Sequence, residues 1–196
     1  NQVEESDESF LESRSGIMDQ VNAVVDSLEE LNIEYEAIPV RDLCHLVQIL
    51  PTREEKLVFN LIEDFEGSIN QVNVVPALYE AFGFGYTGNG TETLFLSLDK
   101  TLAKAVLVAA GLPCPAGISV QPGQKFSLDN LKKGKYIIKP ACSDASEGIE
   151  VDSVVDVPSA AAIDRIKWIH EKFNQAAIVE QYIPSRELNV SVIETE

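Results

Sequence analysis

A glycine-rich segment at residues 83–90 most constrains how this chain can fold. Four of its eight residues are glycine, and glycine adopts backbone conformations that end helices and strands. The pattern of apolar residues differs on its two sides, so we interpret the segment as the exit from a first domain. With 196 residues, the chain is long enough to hold two small domains, each with a core.

The residues before this segment follow an alternating pattern. Helical spacing of apolar residues predicts an amphipathic helix with Ile17, Val21, Val24, Val25, Leu28 and Leu31 on one face. Runs of β-forming residues then predict strands at residues 33–40 and 58–62, followed by a second helix at residues 74–82. Strands that alternate with helices favour a parallel α/β domain, which we place at residues 16–95 behind an acidic arm at residues 1–15.

The residues after the segment follow a different pattern. A helix is predicted at residues 100–110, because Gly111, Pro113 and Pro115 stop it. A later helix is entered at Pro158. Short apolar runs around it predict strands at residues 118–120, 136–138, 149–151 and 177–179. Several strands with one or two helices indicate a small α+β lobe.

The formal net charge of −17 restricts the partners. Nucleic acids and anionic membrane surfaces would be repelled before any specific contact formed, so neither is expected to bind. A phosphate ligand would need locally placed cations, and the chain has only 15 Lys and Arg residues. Three widely spaced cysteines fit neither a disulfide framework nor a CxxC zinc site, which favours a reducing, cytoplasmic setting.

Lysine residues stand at two positions that suit a polyphosphate. A predicted strand ends at Lys139, a loop of small residues follows, and a second strand is predicted from Gly148. Such a hairpin can lay backbone N–H groups over phosphates while the lysine supplies charge. Lys100 begins the helix at residues 100–110. The alternatives are a surface lysine before a flexible turn for Lys139 and a solvated surface charge for Lys100.

Two carboxylates follow the last predicted strand. Residues 177–179 lead into Glu180, and Glu187 comes seven residues later. Glu180 could accept hydrogen bonds from a purine amino group, with backbone groups of Gln181 and Ile183 contacting the same edge, and Glu187 could hold ribose hydroxyls. The alternative is that Glu180 only marks the point where a buried strand reaches water.

These features occur together in an order that resembles the ATP-grasp superfamily, and within it the D-alanine–D-alanine ligases and their close relatives. The resemblance extends from about Val58 to the end of the chain. The matching blocks are residues 58–63, 75–80 and 86–88, Leu98-Asp99-Lys100, residues 110–113, Ile138-Lys139-Pro140, Val179-Glu180 and Arg186-Glu187.

The resemblance implies a role for each matching residue. Two lysines, Lys100 and Lys139, would hold the ATP phosphates under a loop that contains Ser146. The adenine would be held by Glu180, Gln181, Tyr182 and Ile183, and the ribose by Glu187. The implied activity is that of an ATP-dependent carboxylate–amine ligase, which forms an amide or dipeptide bond through an acyl phosphate and serves cell-wall biosynthesis. The implied substrate, beside ATP, is a small amino acid or peptide.

The resemblance also implies that Mg²⁺ is required, with ligands that would lie beyond Glu196. Residues 96–188 would then be the small lobe of an ATP-grasp fold and residues 189–196 the start of its large lobe, and this fragment alone would be inactive. A homodimer through the first domain is a further expectation. Asp144 and Glu147 depart from the Gly-Ser-Ser-x-Gly loop of the ligases. Two alternatives therefore stay open: a non-catalytic ATP-binding module and an acidic interaction domain without a nucleotide site.

Overall fold

The computed structural model describes residues 2–65, 69–143, 146–190 and 192. Side chains are described within these ranges except at residues 2–15, 69 and 70. The chain divides into two compact units, Asn1–Leu94 and Phe95–Glu196. Both units combine helices with strands, so the fold is α/β. Among the described residues, no helix combines the length and the apolar character needed to cross a membrane.

The first unit is mostly helical. Its two short strands pair in parallel, with Leu57 opposite Gly85 and Val58 opposite Tyr86. Its core is formed by Leu46, Leu50, Phe65, Val72, Val75, Tyr79 and Phe84. The elements are α1 (Gln2–Glu30), α2 (Leu43–Ile49), a 3₁₀ turn (Leu50–Thr52), β1 (Leu57–Val58), α3 (Ile69–Val72), α4 (Val75–Ala81), β2 (Gly85–Tyr86) and the start of α5 (Thr91–Leu98).

Several elements of the first unit differ from the sequence-based prediction. The strand predicted at residues 58–62 is confined to Leu57–Val58. Helix α1 begins at Gln2, so residues 2–15, which we placed in an acidic arm, form the first half of the helix instead. The strand predicted at residues 33–40 is wrong, because this segment has no regular structure and pairs with no described strand. A β-forming sequence gains the stability of a strand only when a neighbour completes its backbone hydrogen bonds.

After the end of α5, the elements of the second unit are α6 (Lys100–Ala109), β3 (Gly117–Val120), β4 (Gly134–Pro140), a 3₁₀ turn (Val151–Ser153), β5 (Val154–Val157), α7 (Ala160–Phe173) and β6 (Ala177–Gln181). The strands form a four-stranded antiparallel sheet in the order β3-β6-β4-β5. Ser159 caps the long helix α7 by accepting a hydrogen bond from the N–H of Ala162. One face of the sheet packs against this helix, and the core there includes Ile138, Val179 and Ile166.

The strand predicted at residues 149–151 is wrong. The chain forms the 3₁₀ turn Val151–Ser153 there, and the strand that pairs with β4 begins only at Val154. The side chains and backbones of Glu150 and Ser153 bond each other reciprocally, and this capping arrangement favours the turn over an extended strand. We predicted a hairpin between a strand that ends at Lys139 and a second strand that begins at Gly148. Its connection is longer, and the second strand begins at Val154.

Candidate functional site

The side chain of Glu180 lies between two lysines on the second unit's sheet. Glu180 on β6 is directly opposite Ile137 on β4, and Lys139 is two residues further along β4. Residues two apart share a face of a strand, so Lys139 and Glu180 project from the same face. Lys139 Nζ is 3.0 Å from Glu180 Oε2, and Lys104 Nζ of α6 is 2.7 Å from Oε1. These three side chains form what we call the Glu180 cluster.

The cluster keeps Glu180 ionised although it is buried. Only 11% of its side chain is exposed, against 24% for Lys104 and 22% for Lys139. Burial by itself would raise the pKa of Glu180, but the hydrogen bonds and charges of Lys104 and Lys139 outweigh burial and hold the pKa below its ordinary value. The site therefore contains a fixed carboxylate acceptor beside two cations.

Helix α6 brings its first lysine to the end of β4. Asp99 caps the helix by accepting from the N–H groups of Thr101 and Leu102. The Lys100 N–H donates to the carbonyl oxygen of Ala141 over 3.0 Å. The ammonium of Lys100 donates to the carbonyl oxygen of Ser143 and lies 3.3 Å from its hydroxyl oxygen. These bonds hold Lys100 against the loop that follows β4. Lys139 stands near the carboxyl end of β4 itself, one residue before the end of the strand.

The loop after β4 is held at both ends. At its start, the Gln175 side chain accepts from the Cys142 N–H and donates to the Cys142 carbonyl. At its end, Gly148 has a φ of 72°, and a Cβ there would lie 2.6 Å from Pro140 and 2.9 Å from Phe173. Ser146 between them is exposed, with a left-handed φ of 62°. Asp144 and Ala145 lie outside the described residues.

Arg165 of α7 anchors the segment that follows this loop. Its guanidinium is 4% exposed, donates to the carbonyl of Gly148 over 2.8 Å and pairs with Glu150 and Asp152 over 3.0 Å each. The ring of Trp168 lies under the guanidinium, 3.9 Å from its centre. Arg165 therefore fixes where the loop rejoins the rest of the unit.

The remaining predicted residues are exposed, with Gln181 at the end of β6 and the others after it. The Gln181 N–H donates to Ala116 and the Tyr182 N–H to Lys135, which extends the pairing of β6 with both neighbours. Gln181 could therefore contribute to a ligand only through its carbonyl or its side chain. No described residue accepts a hydrogen bond from the Ile183 N–H. Glu187 makes no hydrogen bond or ion pair with any described residue, so no contact brings it to the Glu180 cluster.

Sequence reasoning found Lys139 and Glu180 but missed Lys104. Lys104 stands one helical turn after Lys100 on α6, and residues four apart lie on the same helix face. That spacing could have identified it. Among the residues the structure describes, no group of three or more His, Cys, Asp and Glu side chains is placed to hold a metal ion. The Mg²⁺ ligands beyond Glu196 stay a prediction.

Comparisons with known proteins point to one enzyme family. An uncharacterized protein of Sinorhizobium fredii is 33% identical over 72% of this chain and 40% of its own length. The D-alanine–D-alanine ligase of Gluconobacter oxydans is 29% identical over 87% of this chain and 54% of its own length. The chain is homologous to D-alanine–D-alanine ligases. It spans about half the length of the curated relatives that it matches, and no protein-family model matches it.

A solved ligase has the same fold. The D-alanine–D-alanine ligase of Bacillus anthracis superposes with a TM-score of 0.71 over 85% of this chain and 52% of that chain, at 18% identity. The same enzyme complexed with ATP gives a TM-score of 0.67 over 83% and 52% of the two chains. At this identity the likeness concerns the fold alone.

Proposed function

We propose that this chain is part of an ATP-dependent carboxylate–amine ligase of the D-alanine–D-alanine ligase type. In this proposal residues 16–95 form the domain before the ATP-grasp fold, residues 96–188 its small lobe and residues 189–196 the start of its large lobe. The substrate beside ATP would be a small amino acid or peptide. Homology to the ligases supports the proposal.

The observation that supports the proposal most strongly is the Glu180 cluster. In a chain with a net charge of −17, two lysines lie within 3.0 Å of one buried carboxylate, and a third lysine binds the adjoining loop. This donor set suits ATP, because the triphosphate needs cations and the adenine amino group needs an acceptor. Here Lys100 and Lys139 would bind phosphates and the loop with Ser146 would cover them.

The adenine and ribose would lie over the exposed residues that follow β6. Glu180 would accept from the adenine amino group, and the Ile183 N–H would donate to the ring, flanked by Gln181 and Tyr182. Glu187 would move to bind the ribose. ATP, when bound with Mg²⁺, supplies the phosphoryl group that activates a carboxylate, and the residues of this chain position it and neutralise its charge.

Nucleotide binding is tested by removing the amino group of Lys139. We expect Lys139→Ala to lower ATP affinity about tenfold to a hundredfold, which corresponds to the loss of one or two charge-assisted hydrogen bonds. Isothermal titration calorimetry of the wild-type chain, of this variant and of the control Lys133→Ala measures the effect. Lys133 is exposed and lies outside the Glu180 cluster. Equal ATP affinity of Lys139→Ala and the wild type would contradict the proposed role.

Catalysis is tested separately, on the full-length protein. We expect release of ADP that depends on D-alanine or a related amino acid together with Mg²⁺, measured by a coupled assay. Tight ATP binding without amine-dependent ADP release would favour the alternative, a non-catalytic ATP-binding module. The exposed Glu147 in the phosphate loop motivates that alternative, because a carboxylate close to the triphosphate would repel it.

A further inference from the structure

Lys104 reaches Glu180 from α6, at a position that none of the matching sequence blocks includes. It stands on α6, 76 positions before Glu180, and its ammonium donates to Glu180 Oε1 over 2.7 Å. Lys139 binds the other oxygen, Oε2. Each carboxylate oxygen of Glu180 is thus paired with a different lysine.

The two lysines would not behave alike when a nucleotide binds. Lys139 stands near the end of β4, beside the loop proposed to cover the phosphates, so a phosphate would compete with Glu180 for its ammonium. Lys104 stands one helical turn beyond Lys100 on α6, and it is Lys100 that bonds this loop at Ser143, whereas Lys104 bonds Glu180. Glu180 would then keep Lys104 as the cation that offsets its burial.

The charge of Glu180 matters for the choice of base. Adenine carries an amino group, a donor, at the position where guanine carries a carbonyl oxygen, an acceptor. An ionised carboxylate only accepts hydrogen bonds, whereas a protonated one can also donate. An ionised Glu180 would therefore bind adenine and repel guanine, and a protonated Glu180 would tolerate both.

We propose that Lys104 is a positioning residue that sets the preference for adenine by holding Glu180 ionised and fixed in orientation while Lys139 binds phosphate. This inference rests on the proposed function, because it takes Glu180 as the residue that meets the base. Lys104 acts through Glu180 and needs no contact with the nucleotide.

The charged groups around Glu180 are few, which makes the inference testable. Among the described residues, Lys104 faces it from α6 and Lys139 from β4, while its neighbour on β3 is Gly117, which brings no charge. Removal of Lys104 leaves Lys139 as the remaining counter-charge. We expect Lys104→Met to raise the pKa of Glu180. The ATP affinity of this variant should therefore fall as the pH is lowered through a range in which the ATP affinity of the wild type does not change.

The experiment uses the full-length protein and compares ATP and GTP binding by calorimetry in the presence of Mg²⁺ for the wild type, Lys104→Met, Lys104→Arg and the control Lys133→Met. We expect the wild type to prefer ATP at least about tenfold, Lys104→Met to lose most of this preference, and Lys104→Arg to restore it. Circular dichroism checks the fold of each variant. Lys104→Gln, which can still donate to Glu180 without a charge, replaces Lys104→Met if the latter does not fold.

A double-mutant cycle separates positioning from a merely structural role. In the Glu180→Gln background we expect Lys104→Met to leave the ratio of ATP to GTP affinity unchanged, because the carboxylate through which Lys104 acts is absent. An unchanged ratio in the single variant Lys104→Met, or an equal change in both backgrounds, would overturn the inference. A full-length wild-type protein that binds neither nucleotide would overturn the proposed function itself, and this inference with it.

Discussion

At Glu180, burial and the neighbouring lysines have opposite effects on the pKa of the carboxyl group. Its carboxylate is almost enclosed, yet its pKa lies below the ordinary value because two ammonium groups hold its two oxygens. A glutamate whose pKa is lowered by folding stabilises the fold above its unfolded pKa, and this contribution is lost as the pH falls through the folded pKa. Stability falls on acidification because protonation of Glu180 removes the negative charge that the lysines stabilise.

We expect Glu180→Gln to lower the free energy of unfolding of the chain by about 2 kcal/mol at pH 7, since two charge-assisted hydrogen bonds are weakened. The difference from the wild type should shrink as the pH is lowered below the ordinary glutamate pKa of 4.5. Urea denaturation at pH 7, 5 and 3 measures it. A difference that is the same at all three pH values would show that ionisation of Glu180 contributes nothing.

The surroundings of Cys142 disfavour its thiolate. Burial raises the pKa of its thiol, the charge of Asp99 raises it further, and the charge of Lys100 only partly opposes them. A thiol attacks electrophiles as the thiolate, so we expect iodoacetamide to modify Cys142 more slowly than the exposed Cys44 at pH 7.5. Mass spectrometry of peptides over time compares the two within one sample. Faster modification of Cys142 would contradict the described surroundings.

At the scale of secondary-structure elements, strands β3 and β6 lie so close at Gly117 that no side chain fits there. Gly117 is paired with Glu180, and a Cβ at Gly117 would lie 2.2 Å from the Val179 carbonyl oxygen and 2.9 Å from the Glu180 Cα. Because both atoms belong to the backbone, neither can rotate away. The pairing of the two strands, and with it the position of Glu180, therefore requires a residue without a side chain.

We expect Gly117→Ala to lower the free energy of unfolding by about 2 kcal/mol or more and to weaken ATP binding, since β6 must shift to accommodate the methyl group. The matched control is Gly134→Ala at the start of β4, where an added Cβ meets no atom within 4 Å. Thermal unfolding and calorimetry measure the two effects. Equal behaviour of the two variants would show that β3 can move without cost.

The elements that sequence predicted best are those whose own residues determine them. Helix α7 and strands β4 and β6 lie where apolar periodicity placed them. The strand predicted at residues 149–151 is wrong because Glu150 is bonded by Ser153 in the turn and by Arg165, which is distant in sequence and also bonds the Gly148 carbonyl. The site likewise combines local and long-range features. The sequence singled out Lys139 and Glu180 one by one, but their ion pair depends on the pairing of β4 with β6. The contact of Lys104 with Glu180 depends on where α6 packs.

At the scale of the whole molecule, the net charge of −17 repels an anionic ligand that the lysines of the candidate site would attract. A triphosphate that approaches from a distance meets a repulsive field, while at contact, in the proposed binding mode, it would meet Lys100 and Lys139. Salt screens interactions between exposed charges beyond roughly 10 Å at 0.1 M but screens partly buried pairs much less. The long-range repulsion should therefore fade with salt before the local attraction does.

We expect the association rate constant of ATP to rise as the ionic strength increases from about 10 to about 150 mM. Stopped-flow measurements with a fluorescent ATP analogue at constant pH measure the rate. The analogue's uncharged nucleoside serves as the control, because its association should not depend on salt. A rate that falls over the same range would indicate that the local lysines dominate even at long distance.

The stacking of Arg165 on the indole of Trp168 makes the second unit observable by itself. The chain contains a single tryptophan, and the guanidinium carbon of Arg165 lies 3.9 Å from the centre of its ring. We expect the emission of this tryptophan to change when unfolding breaks the contact. Intrinsic fluorescence at an excitation wavelength selective for tryptophan thus reports the melting of the unit that contains the Glu180 cluster, whereas far-ultraviolet dichroism averages over the helices of both units. One unlabelled sample, followed with both signals, can reveal whether the two halves lose their structure together or in sequence.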